Sequence, residues 1–360
     1  MASNNTVLPS GYVEGSWWYY SPNKIAPVVF SSLFMASAIW HLYQNIAYKS
    51  WRTTGLLPLA ALIFVAGYSM REVAAFYPDD IGCYMSTSIM LLCSPPVYEA
   101  ANCFIVSRLL YYIPYFAPLH PYRLMLTLGV VQSSLEVINA VGASKGTSLE
   151  GAEGSLVGGQ TLMKISLVLQ IITMLLFIGL ALRFEYNCRR AGVFPDKLRN
   201  GLRVVYVSCA FISVRTIYRS VEWFETANIN PSNPGSFPPV LRNEIYFYIF
   251  EASVMLLNSF LLNIFHPTRL LPQNYKVFLA PDGVTELEGT GLTKDPRNPL
   301  LQLLDPLDIY GLVTKRDQKI NLWIPEKTET SSIAGSDGEN DMEKLGWGNW
   351  QQQDELIKVV

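Results

Sequence analysis

The stretch GQTLMKISLVLQIITMLLFIGLALRF, Gly159 to Phe184, decides the class of the protein: it is 26 residues long and carries only Lys164 and Arg183 as charges. A helix rises about 1.5 Å per residue and a bilayer's hydrocarbon core is about 30 Å thick, so about 20 mainly apolar residues can cross it. Six more such stretches flank it, at Ile25 to Ala47, Gly55 to Tyr77, Tyr84 to Ile113, Tyr122 to Ala143, Leu202 to Thr226 and Glu244 to Phe265. The competing reading is a large soluble protein with buried core helices, and so many long apolar runs with short connections argue against it. The expected fold is all-α: a seven-transmembrane helix bundle over residues 25–266, after an extracellular segment, 1–24, and before a cytosolic tail, 267–360.

Composition agrees. Charged residues make up 16% of the 360-residue chain, against about 25% in soluble domains. The net charge of −2 leaves no basic field to hold nucleic acid. Charge is uneven along the chain, +3 through His266 and −5 beyond it. The tail is polar, acidic and rich in Pro, Asp, Gly, Asn and Ser, and reads as largely disordered, a surface for a cytosolic partner. Lys and Arg near the spans accumulate on cytoplasmic loops. Lys49 and Arg52 lie in the first connection, Arg123 in the third, and Arg189, Arg190, Lys197, Arg199 and Arg203 in or beside the fifth; the second has none and carries Asp79 and Asp80. The N-terminus is therefore expected outside and the C-terminus inside. Residues 1–24 have neither the basic n-region nor the apolar h-region of a cleavable signal peptide, and Asn4-Asn5-Thr6 is a glycosylation sequon on the expected outer side. The five cysteines are too dispersed for a disulfide framework, and the three histidines show no metal-ligand spacing.

Ionisable groups at bilayer depth are costly unless paired or hydrated, and so mark function. Arg71 and Glu72 fall in span two, Glu136 and Asn139 in span four, Lys164 in span five, Arg215, Arg219 and Glu222 in span six and Glu251 in span seven, all in the outer half. The i, i+4, i+7 spacing on span six stacks three charges on one helix face. Four cations against four carboxylates can neutralise one another, either as interhelical pairs that fix the bundle or as the lining of a water-accessible cavity with Tyr68, Tyr218, Tyr246 and Tyr248 as walls. Span three holds Ser94-Pro95-Pro96, where a kink or break is expected, followed by Glu99 and Asn102. Such breaks border transporter sites; the alternative is a kink filled by a neighbouring helix, with Glu99 paired to an arginine. His41 and His266 read as structural, and Arg108, at the inner end of span three, is expected to snorkel to the headgroups.

Gly67-Tyr68 with Arg71, Pro96 with Ala100, Ala101 and Arg108, Gly159 with Gln170, Arg215-x-x-Tyr218-Arg219-x-x-Glu222, Glu244, Tyr248 and the closing His266-Pro267 together resemble the fungal lipid-translocating exporters, the RTA-like seven-span family linked to resistance against toxic amphiphiles. The resemblance runs from about Tyr20 to Pro267. Gln132 and Asn139 stand where that family has Asp and Gln, and Glu251 where it has Asp.

The resemblance implies a plasma-membrane transporter of lipids or amphipathic compounds, such as a sphingoid base or phospholipid, and not an enzyme. Membrane lipids and an amphipathic small molecule are its partners. Its charged head would enter the outer cavity formed by Arg71, Glu72, Glu99, Glu136, Lys164, Arg215, Tyr218, Arg219, Glu222 and Glu251, the arginines holding anions and the carboxylates cations. The sequence has no GxxxxGK[ST] nucleotide loop, and no cofactor is implied. The alternative is a seven-span sensor whose amphipathic ligand enters the same cavity; against a rhodopsin-like receptor, Val106-Ser107-Arg108 has no acid before the arginine and span seven lacks NPxxY. A seven-span zinc hydrolase is disfavoured because all three histidines are expected near the cytoplasmic face.

Overall fold

The computed structural model describes residues 16–146, 153–226, 238–272, 274–280 and 283–289. Its helices are α1 (Ala26–Tyr48), the one-turn α2 (Trp51–Thr54), α3 (Leu56–Phe76), α4 (Ile81–Tyr112), α5 (Pro121–Gly146), α6 (Glu153–Arg190), α7 (Asp196–Thr226), α8 (Pro239–Arg242), α9 (Glu244–Phe247), α10 (Val254–Ile264) and α11 (Pro267–Leu270). A π-helical turn, Tyr248–Ser253, joins α9 to α10, and among the described residues seven helical stretches are long and apolar enough to cross a membrane. The sequon Asn4-Asn5-Thr6 and most of the acidic tail lie outside the described residues.

The helices turn an apolar surface outward and a polar one inward. Ile165, Ile172, Leu175, Leu176 and Leu182 of α6 are exposed while Arg71, Glu99, Arg215 and Glu251 are buried, the reverse of a protein dissolved in water and the arrangement hydrocarbon demands. The most enclosed span is α4, and the least is α1. Close approach requires glycine at two places: a Cβ on Gly67 of α3 would come within 2.7 Å of Leu91 on α4, and one on Gly201 of α7 within 2.8 Å of Leu109. Small residues at such crossings let backbones touch where no hydrophobic drive pulls helices together.

The double proline does not break α4, which continues without interruption from Ile81 to Tyr112. Pro95 has no N–H to give the carbonyl of Leu91 one turn before it; that carbonyl instead accepts from Arg215 Nη2 at 3.4 Å. Ser94 Oγ donates to the Ala60 carbonyl of α3 at 2.7 Å. A neighbouring helix thus takes up the carbonyl that proline frees.

The ordered body also passes the boundary expected at His266. After α11 the chain forms an antiparallel hairpin, β1 (Val277–Leu279) with β2 (Glu286–Glu288), registered Phe278 opposite Leu287. Gly283, with φ of 74°, makes its turn. Phe278 and Leu279 are buried, Tyr111 meets Phe278 edge-on at 6.5 Å, and Glu286 accepts from Tyr112 at 2.9 Å and Lys197 at 2.8 Å. Acidic composition does not keep this segment off the bundle, because the consecutive apolar residues Phe278, Leu279 and Ala280 are buried. Arg108 does not snorkel: it is 4% exposed, beneath this segment, and donates to the Asn274 carbonyl at 3.0 Å.

Candidate functional site

The last turns of α3 and α7 and the first turns of the seventh span meet at one end of the bundle. There the i, i+4, i+7 face of α7 points Arg215, Arg219 and Glu222 at the π-helical turn. Glu251 sits in that turn, where the extra residue re-aims a side chain, a device common at functional sites. Its Oε1 lies 3.0 Å from Arg215 Nη2 and accepts from Nε at 3.1 Å; its Oε2 lies 2.6 Å from Arg219 Nε. Arg219 in turn contacts Glu222 at 2.5 Å. Arg215 and Glu251 are wholly buried. The result is a continuous chain, Arg215–Glu251–Arg219–Glu222, of two positive and two negative charges.

Arg71 forms a separate cage beside it. The guanidinium donates to Glu244 at 2.8 Å, to the Tyr20 hydroxyl at 2.6 Å and to the Tyr248 hydroxyl at 3.4 Å, and it lies 4.1 Å from the Phe247 ring centre and 4.5 Å from that of Trp18. Cation–π contact of this kind strengthens as water is removed. Burial pushes the Tyr20 hydroxyl up to about 12 against the opposing pull of Arg71, so at neutral pH it meets the arginine as a neutral acceptor. Trp18 and Tyr20 come from the segment before α1, which Trp17 ties to the Pro78 carbonyl at 3.1 Å and Glu244 holds by accepting from Asn23 N–H at 2.8 Å. Phe247 touches both clusters, since Arg219 lies 5.6 Å from its ring centre.

Deeper in the bundle, Glu99 of α4 is 3% exposed and accepts a short hydrogen bond from Gln132 of α5. It feels both Arg215 and Glu136 electrostatically. Glu136 neighbours Cys93 and Asn139. A pocket with about 10 Å3 open to a water's centre lies between Glu99, Asn102, Gln132, Thr173 and Cys209, room for about one water. Asn102 donates to Ser208 of α7 at 2.8 Å.

Of the ten candidate residues the structure links Arg215, Arg219, Glu222 and Glu251 directly and places Glu99 and Glu136 beside them. Arg71 is a neighbour through Phe247. Tyr218 stacks on Phe250 at 5.8 Å and makes no bond in the chain. Lys164 lies 5.2 Å over the Phe224 ring, and Glu72 Oε2 is buried with no hydrogen-bond partner among the described residues; neither joins the ion pairs. Sequence reasoning missed Trp18 and Tyr20 as partners of Arg71, and it left Glu244 out of the site although it stands in the family pattern.

Sequence reasoning also missed a polar seam between α1 and α10. Ser37 and Ser259 are 2.6 Å apart, Tyr98 donates to Ser259 at 2.7 Å, and Asn263 donates to Ser37 Oγ at 2.6 Å. Buried polar residues recur every three or four positions, Ser37, His41 and Gln44 on α1 and Ser259 and Asn263 on α10, and that spacing was the available signal. No three His, Cys, Asp or Glu side chains converge as a metal would need among the described residues.

Residues 57–274, more than half of the chain, match the family model described as RTA1 like protein. The chain is 34% identical over 319 residues to the lipid-translocating exporter-like protein RTA1 of Leptosphaeria maculans, an alignment covering 85% of this chain and 61% of that relative, so it spans less than two thirds of that relative's length. It is 28% identical to the protein of the same name from Ajellomyces capsulatus, over 73% of this chain and 83% of the relative. It is 25% identical to the probable lipid transporter atnI of Emericella nidulans, over 75% of this chain and 74% of the relative. No solved structure matches it. With seven candidate membrane helices and a match that runs from the start of span two past the end of span seven, the chain belongs to the RTA1-like family of lipid-translocating exporters.

Proposed function

We propose that this protein moves lipids or lipid-like amphiphiles, of the sphingoid-base or phospholipid kind, between the leaflets of the plasma membrane, with its N-terminus outside. The observation that carries the reading is the chain Arg215–Glu251–Arg219–Glu222, buried at Arg215 and Glu251 and partly exposed at Arg219 and Glu222, beside the carbonyl that Pro95 frees on α4. Four opposed charges in a row can change partners stepwise. A head bearing an ammonium, a phosphate or both displaces one protein charge from another, so no ion is left bare in hydrocarbon at any step. In the described conformation the charges are paired with one another, with Arg219 and Glu222 partly exposed where a head would arrive. The Arg71 cage, roofed by Trp18 and Tyr20 and joined to Arg219 through Phe247, supplies the element that lifts. Relatives named as lipid exporters and as a probable lipid transporter support the same reading.

The test is flux. Reconstituted protein should carry a labelled sphingoid base or phospholipid across the bilayer, and Arg219→Ala and Glu222→Ala should each reduce that movement to the protein-free background while keeping a monodisperse fold. Normal flux in both variants would remove the charged chain from the mechanism. A sensor is the second reading, favoured by the ion pairing of all four charges with one another: a ligand that opens the pairs without crossing would alter the protein's conformation and produce no flux.

A further inference from the structure

The opposite end of the bundle holds a second group of cations, and these have no ion-pair partner among the described residues. A cavity of about 300 Å3 opens where α1 and α4 end and α11 begins, with Lys49, Ser50, Arg52, Thr53, Arg108 and Thr268 in its lining. It falls at the lower edge of the size range of ligand pockets. Three of its lining residues are basic and none is acidic. Lys49 and Arg52 are exposed at the rim; Arg52 lies 4.8 Å over the ring of Tyr275, another wall residue. Arg108 is 4% exposed, and while its Nη2 donates to Asn274, its Nη1 has no partner among the described residues.

A buried N–H without an acceptor is destabilising, more so on a charged group, and three like charges around one cavity repel each other. Glu286 is the acid whose field reaches Arg108, but its Oε1 already accepts from Lys197 and Tyr112. Lys49 is the left-handed C-cap of α1, with φ of 51°. An anion in the cavity would satisfy the free guanidinium N–H and relieve the mutual repulsion of all three cations. Two arginines and a lysine favour phosphate, which accepts forked hydrogen bonds from guanidinium and point-charge contact from ammonium.

We infer that this cavity binds a phosphate group, carried either by a membrane-lipid headgroup or by a soluble phosphate ester. It lies at the ends of α1 and α4, at headgroup depth, with Trp51 on its wall and half exposed, as aromatic residues at a membrane interface stand. The inference needs the chain to span a membrane. It does not need the Arg215–Glu222 chain to carry substrate.

The full chain in phosphatidylcholine nanodiscs provides the test, read as thermal stability and ligand retention, with phosphatidic acid doped into the discs in one arm and inorganic phosphate added to undoped discs in the other. Phosphatidic acid should stabilise the protein, and Lys49→Gln and Arg52→Gln should each weaken its apparent affinity about tenfold, equal to about 1.4 kcal/mol. Both residues lie at the exposed rim, so these variants do not endanger the fold. A response to inorganic phosphate that the same two variants abolish, with none to phosphatidic acid, supports the site with a soluble ester as occupant. Arg203→Gln, which removes an exposed cation outside the cavity, should respond as the parent does; an equal loss there would mean diffuse surface charge and overturn the inference. So would an unchanged response in Lys49→Gln and Arg52→Gln, or no response in either arm. Arg219→Gln should keep phosphate binding while losing flux, which separates failure of this site from failure of the transport reading.

Discussion

Arg215 and Arg108 are both buried arginines of one bundle, and their surroundings are opposite. Arg215 has a carboxylate on two of its nitrogens and a backbone carbonyl on one of them. Arg108 has one carbonyl and an open cavity. A guanidinium removed from water must recover its hydrogen bonds, and a protein can meet that need from within or leave it to a ligand. At the Glu244 end a carboxylate meets the charge of Arg215 internally, although its Nη1, like that of Arg108, has no hydrogen-bond partner among the described residues, and the pairs act as a latch. At the Arg108 end it is left open, which makes a receptor for an anion.

The comparison can be broken most forcefully at Glu251. Glu251→Ala strands Arg215 in the bundle and leaves Arg219 with Glu222 alone, and should cost about 3–5 kcal/mol, seen as a collapse of the detergent-solubilised thermal transition. Replacing Arg215 and Glu251 together by apolar residues of like volume should keep the fold and abolish flux; a double variant as unstable as Glu251→Ala would show that the pair is needed for folding. Arg108→Met should cost less, about 1–3 kcal/mol, since it strands only the Asn274 carbonyl. An Arg108→Met variant as damaged as Glu251→Ala would erase the difference between the two ends.

A finer measurement addresses the roof of the Arg71 cage. Tyr20→Phe removes an acceptor 2.6 Å from Arg71 and keeps the ring, so it should lower stability by about 1 kcal/mol and raise protease access to the segment before α1. The smallest effect concerns the hairpin. The hydrogen bond from Lys197 holds the Glu286 carboxyl below the usual carboxylate range. A carboxyl lowered on folding contributes stability above its unfolded pKa, about 4.3, and loses that contribution as pH falls through the folded value. Half-exposed pairs of this kind contribute about 0–1 kcal/mol. Proteolysis of the hairpin should therefore rise modestly below about pH 4 and become flat with pH in Glu286→Gln.

Particular residues show how far the sequence could be read. The seven spans were legible because apolar length is a local property, and the stripe of Arg215, Arg219 and Glu222 was legible because helical periodicity is local too. The partners were not. Glu251 reaches Arg215 from 36 residues away, and Glu244 reaches Arg71 from 173. Lys164 had the right depth but meets Phe224. The double proline allowed a break or a kink filled by a neighbouring helix, and only packing decided between them: α4 is uninterrupted and a guanidinium from α7 takes up the freed carbonyl.

Hydropathy and charge order along the chain, set by the solubility of each segment in water or hydrocarbon, determined by themselves that this protein is a seven-span bundle with buried ions. Which ions close on each other and which stay open was decided only when helices distant in sequence packed together. A charge in a low-dielectric interior is governed by the few atoms within about 4 Å of it, and those atoms come from other segments.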